Sequence, residues 1–179
     1  MKKIYFLMLF FAGSYVHAQD EVAVSVAKNQ FKINVLFPGF VYEHGFSEKN
    51  TLYSEATLGL GYSYSDFYGE SNVYIAPYIT EQFRHYYNLQ KRANKGKRTE
   101  RNSANYLALV MTYTFKPLSG DAEHFSYTPS TTVAALWGLQ RTYGRFNLEF
   151  NAGPGVNFSK VETEFAFPVN FTLGWVIGK

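Results

Sequence analysis

The chain is 179 residues long, enough for one domain with a core and short for two. Its formal charge of +3 drops to about +1 when Lys2 and Lys3 are set aside with the leader described next, so charge gives no argument for a nucleic-acid partner. With no cysteine, disulfide staples, thiolate metal sites and a lipoprotein anchor on cysteine are all excluded.

Residues 1–18 set two lysines ahead of an apolar run from Ile4 to Ala12 and end on Val16-His17-Ala18. This is the layout of a secretory signal cleaved after Ala18, and the run is too short to cross a bilayer as a helix. Residues 19–28 read as a lead, and 29–179 as the single folded domain. No later apolar run approaches the roughly 20 residues a spanning helix needs. Aromatics make up 19% of the chain, with 17 Phe and 15 Tyr beside 14 Gly. That mixture suits pleated strands with one apolar face.

In chain order, Phe31, Ile33, Val35 and Phe37 alternate with Lys32, Asn34 and Leu36 before a turn signal at Pro38-Gly39. Phe40, Tyr42, His44 and Phe46 follow. From 51 to 65, Leu52, Leu58, Leu60 and Tyr62 oppose Glu55, Thr57, Gly59 and Gly61. From 72 to 88, Val73, Ile75, Ile79 and Phe83 oppose Tyr74, Tyr78, Gln82 and Arg84, and Glu81 breaks the apolar face, as a bulge or a position near a membrane surface would. Segment 89–102 is the one long charged stretch. Leu107 to Phe115, Val133 to Leu139, Phe146 to Phe158 and Phe165 to Ile177 complete the series. The count is eight strands if Pro38-Gly39 makes a hairpin and seven if 29–46 is one strand. Eight is preferred, because single-chain bacterial barrels have an even number.

Alternation alone also fits soluble barrels. The second face discriminates, because it carries Gly, Ala, Asn, Thr and Ser with isolated charges rather than a wet shell of Lys and Glu. Small uncharged residues are what a narrow lumen holds. The expected fold is therefore all-β, an eight-stranded antiparallel transmembrane β-barrel in an up-and-down meander. Phe165, Phe167, Phe171, Leu173, Trp175 and Ile177 face lipid in that fold, and Lys32, Glu43, Glu55, Arg84 and Glu149 form a lumenal network.

The leader, the glycine-rich alternating strands and the terminal FPVNFTLGWVIGK resemble the small eight-stranded outer-membrane barrels of Gram-negative bacteria, the OmpX and OmpA-barrel type. The resemblance spans roughly residues 29–179 and is architectural. It implies a monomer in the outer membrane, in contact with lipids including lipopolysaccharide and with the outer-membrane assembly machinery.

Candidate chemistry is sparse, and no cofactor or metal is expected. His44 and His85 lack neighbours at metal-ligand spacing. Glu123-His124-Phe125-Ser126 is similar to the His-x-Ser of outer-membrane lipid A deacylases, with Ser126 as nucleophile, His124 as base and Glu123 as orienting acid. A polar loop is the plainer reading. Lys91, Arg92, Lys95, Lys97, Arg98 and Arg101 form a basic cluster that strand parity assigns to the periplasmic side, toward anionic headgroups or a periplasmic partner. With seven strands it would instead lie outside, near lipopolysaccharide phosphates. The leading expectation is a non-enzymatic envelope protein with a structural, adhesive or interaction role. The alternatives are a deacylase-like hydrolase in the same fold and a soluble periplasmic barrel with its apolar face turned inward around a ligand.

Overall fold

The computed structural model describes residues 23–65, 69–120 and 127–177. They form ten antiparallel strands in one sheet: β1 (Asn29–Asn34), β2 (Gly39–Gly45), β3 (Asn50–Ser65), β4 (Glu70–His85), β5 (Asn105–Thr114), β6 (Ser130–Tyr143), β7 (Phe146–Ala152), β8 (Gly155–Ser159), β9 (Thr163–Ala166) and β10 (Val169–Ile177). A one-and-a-half-turn helix, α1 (Leu89–Ala93), and a 3-10 turn at Glu100–Asn102 join β4 to β5.

The pairings close on themselves. Each of β1 to β6 hydrogen-bonds the next, β6 continues to β7 and β7 to β10, and β10 returns to β1 with Ile33 opposite Trp175. Eight strands make this ring, and β8 and β9 extend it. The hairpin at Pro38-Gly39 is present. Its turn begins earlier than the alternation implies, at Val35, so Val35 and Phe37 belong to the turn and not to β1.

Two long strands expected from the sequence are each interrupted at a proline. Segment 146–158 divides at Gly153-Pro154 and segment 165–177 at Phe167-Pro168. Register is unchanged across both gaps. Trp137 opposite Ala152 and Ala134 opposite Gly155 leave two residues on each strand between them, and so do the pairs Ala152–Val169 and Gly155–Ala166. Nothing has been inserted. Proline lacks the N–H that the ladder needs, so pairing lapses and resumes.

No bulge occurs at Glu81. The β3–β4 register runs through Ser54–Glu81 without a slip, and the Ser54 hydroxyl donates to the Glu81 carboxylate at 2.7 Å on the outer face.

The two faces of the ring have inverted polarity. Phe31, Leu58, Ile79, Leu109, Trp175 and their neighbours point outward and are exposed, while Lys32, Glu43, Arg84, Gln140 and Glu149 point inward and are buried. Phe165 is 73% exposed, Trp175 51% and Ile177 48%. The strands alternate in direction, so the lead at 23–28, the turns at 46–49 and 144–145, and the 86–104 connection share one end, called here the base. Val26 packs there on Leu89, Ala104 and Tyr86 and caps the interior.

Ring closure rests on β1 and β10, whose facing Cα atoms stand about 4.5–5.5 Å apart in any antiparallel pair, within disulfide range. In this cysteine-free chain, an Ile33→Cys/Trp175→Cys pair should cross-link on oxidation or with a short thiol bridge, seen as a mobility change of the denatured protein. An Ile33→Cys/Leu109→Cys pair, set across the ring, should not. Equal cross-linking of both would contradict the register.

Candidate functional site

The interior near the base is built from inward positions of seven strands, β1 to β7. Arg84 on β4 is completely buried, and its guanidinium lies between two rings, 3.6 Å from the centre of Tyr53 and 4.4 Å from that of Tyr106. It forms a two-pronged ion pair with Glu149 on β7, Nη2 to Oε1 and Nη1 to Oε2, and its Nε donates to Gln82 at 2.9 Å. Such fork-to-carboxylate pairs are among the stronger polar contacts a protein makes.

Lys32 on β1 joins the cluster, 3.4 Å from Glu43 and 3.5 Å from Glu149, and donates to Gln140 at 3.1 Å. Glu43 accepts from the hydroxyls of Tyr86 at 2.7 Å and Thr51 at 2.8 Å, and Glu149 accepts from Tyr106 at 2.7 Å. Two cations and two carboxylates thus neutralise each other, with hydroxyls filling the remaining lone pairs. Buried charges are tolerable only under those conditions.

Of the five residues expected in a lumenal network, four therefore share ion pairs. Glu55 is adjacent but different. It accepts from Asn34 Nδ2 at 2.6 Å and from Tyr53 at 3.0 Å, and among the described residues no cation pairs with it.

Four members went unread in the sequence: Tyr53, Tyr86, Tyr106 and Gln140. Parity is the first signal for two of them, since Tyr53 shares it with Glu55, and Tyr106 shares it with Ala108 and Val110. A second signal was Gly138, which faces Tyr106 directly across β5–β6; a methyl there would overlap the Tyr106 ring. The interior also has an apolar side of Ala108, Val110, Ala134 and Leu136, in which Val110 and Leu136 are larger than the small uncharged residues expected of a narrow lumen.

The basic segment is partly structural. Arg92 donates to the Arg98 carbonyl at 3.0 Å, Arg98 stacks near Tyr143 and donates to Thr142, and Arg101 donates to the Gly144 carbonyl. These bonds tie the segment to the β6–β7 turn. Arg101 and Asn102 have φ of 53° and 60°, and the Asn102 carboxamide oxygen accepts from the Ala27 N–H at 2.7 Å, pinning the lead across the base. Lys91, Lys95 and Lys97 remain exposed at that end.

His44 binds Asn29 at 2.8 Å and His85 binds Asn50 at 2.7 Å, and no group of three metal-binding side chains gathers among the described residues. Glu123, His124 and Ser126 lie outside the described residues. No protein-family model, no curated protein and no solved structure matches this chain.

Stripping one partner from a buried pair leaves the other charge unpaired, at a cost of about 3–5 kcal/mol. Arg84→Met should lower unfolding stability by that order, followed through the fluorescence of Trp137 and Trp175 in denaturant. Adding Glu149→Gln should recover part of the loss. A double variant no more stable than Arg84→Met would show that the arginine contributes by packing rather than by charge.

Proposed function

We propose that this chain is an eight-stranded β-barrel embedded in the outer membrane of a Gram-negative cell, acting without catalysis as a structural, adhesive or interaction component of the envelope. The inverted polarity of the ring carries the reading. A fold in water does not turn Phe31, Phe40, Leu58, Leu109, Phe165 and Trp175 outward while desolvating Lys32, Arg84, Glu43 and Glu149 within. In lipid, the same arrangement pairs the backbone around the ring at the base and gives the apolar side chains a matching solvent. The soluble alternative requires the opposite orientation of these faces.

Further features agree. Counting β7 with β8 and β9 with β10, the strand number is even. Tyr87, Trp137, Tyr143 and Phe146 are exposed toward the base, with the Trp137 indole donating to the Tyr87 hydroxyl at 2.9 Å, as rings at a headgroup level do. With the termini periplasmic, Lys91, Lys95 and Lys97 meet the anionic headgroups of the inner leaflet, and the opposite rim meets lipopolysaccharide. The filled base blocks flow, so the barrel is not a pore. The resemblance to the OmpX and OmpA-barrel type belongs to the same proposal, as do the secretory leader and engagement of the assembly machinery.

Glu81 supplies a sharp test, because a carboxylate on the outer face is tolerable in water and costly in lipid. In phosphatidylcholine vesicles, Glu81→Leu should stabilise the folded chain by about 1 kcal/mol or more, and Leu109→Arg should destabilise it by about 2–4 kcal/mol. The refolded protein should float with the vesicles, show heat-modifiable gel mobility and conduct no ions. Recovery of the native protein as a soluble periplasmic species would overturn the reading.

A further inference from the structure

The lumen is filled near the base and open above it. Over Tyr53 and Glu55 lies a cavity of about 370 Å³ whose walls carry threonine hydroxyls from Thr57, Thr80, Thr112 and Thr172. The strand register shows where this space leads. Pairing of β2 with β3 ends at Gly39–Thr57, with one more bond from the Leu58 N–H to the Pro38 carbonyl, yet β3 continues to Ser65. Pairing of β1 with β10 ends at Asn34–Gly174, with one more bond from the Val35 N–H to the Leu173 carbonyl, yet β10 extends back to Val169. Above the Val35–Pro38 turn, two strands are therefore missing from the wall.

The cavity runs through that gap. It is bounded by the inward-facing Glu55, Thr57 and Thr172 and also by Leu60, Val169 and Phe171, which belong to the outward-facing parity and are exposed. Its floor has an unbalanced charge. Lys32 and Arg84 are matched by Glu43 and Glu149, and Glu55 is the third carboxylate, held by Asn34 and Tyr53, and it lines the cavity.

We propose that this cavity binds a single-chain amphiphile with a protonated amine head, the head seated against Glu55 and the chain leaving through the gap between Leu60 and Phe171. The head supplies the missing cation and donates to the surrounding hydroxyls. At roughly 30 Å³ per group, the share of one water in the liquid, the cavity holds on the order of a dozen groups, so a longer chain must extend outside. The proposal rests on the membrane reading for the medium that receives the chain.

The protein in phosphatidylcholine nanodiscs is titrated with dodecylamine, dodecanol and butylamine, and the methyl NMR signals of Thr57 and Thr172 are followed. Saturable shifts are expected with dodecylamine, at least about tenfold weaker with dodecanol and butylamine, a difference of one step in binding constant. Glu55→Gln should weaken dodecylamine by a similar factor, and Thr172→Trp, which fills the cavity, should abolish the shifts. Both variants are checked for heat-modifiable mobility. Equal binding of dodecylamine and dodecanol, or no effect of Glu55→Gln, overturns the role of the carboxylate, and equal binding of butylamine overturns the gap. Incorporation into discs without saturable shifts overturns this site alone. Failure to incorporate overturns the membrane reading, and the same titration on the refolded soluble chain then decides the site.

Discussion

Arg84 and Glu149 meet in a space from which water has been removed, and the rest of the base is arranged by what that pair demands. A desolvated guanidinium needs its donors matched and a polarisable surround, which Glu149, Gln82 and the faces of Tyr53 and Tyr106 provide. Glu149 in turn needs more than one donor, and Lys32 and Tyr106 supply them. Lys32 brings β1 into the cluster, and Glu43 brings β2. The contacts therefore tie the first hairpin to strands far away in sequence, and the pairing of β1 with β10 is supported from inside as well as along the backbone.

Much of this was legible in the sequence because period-two alternation fixes which residues share a face once a strand is recognised. The strands and the inward parity of Lys32, Glu43, Glu55, Arg84 and Glu149 follow from that period, whereas the hairpin at Pro38 follows from the Pro38-Gly39 turn signal and the even strand number. The same parity places two further aromatics inward. Tyr53 and Tyr106 are large aromatics on the polar parity, and the glycine facing Tyr106 at position 138 marked the space its ring occupies. Strand ends were harder still. Alternation continues through Val35 and Phe37 although the backbone has already turned, and it continues through Pro154 and Pro168 although a ladder bond is missing. Which charges pair is a matter of shape in three dimensions, and no pattern along the chain distinguishes Glu55 from Glu43.

That distinction divides the lumen into two regions. Below Glu55, every ionised group has a counter-ion and the space is filled by side chains. Above it, threonines, Gly59 and Ala134 line an open cavity together with larger side chains such as Tyr78 and Phe37. The prolines on neighbouring strands at 154 and 168 fall in the upper region, with Gly153 donating to the Pro168 carbonyl across the break. The upper wall is thus less completely hydrogen-bonded than the lower one, in register with the open cavity.

A wall lacking two strands over part of its height would ordinarily leave a closed ring free to unzip, since unpaired strand edges are sites of slippage and aggregation. Here the short hairpin that creates the gap is also anchored below it, through Lys32, Asn34 and Glu43 on its inward face. A longer hairpin would complete the wall and close the cavity to the side. A hairpin without those inward charges would leave β3 and β10 with nothing to hold them at a fixed spacing. The length of β1 and β2 and the charge of their inner face therefore act together: the buried cluster makes the ring rigid enough at its base for the wall above to stand open.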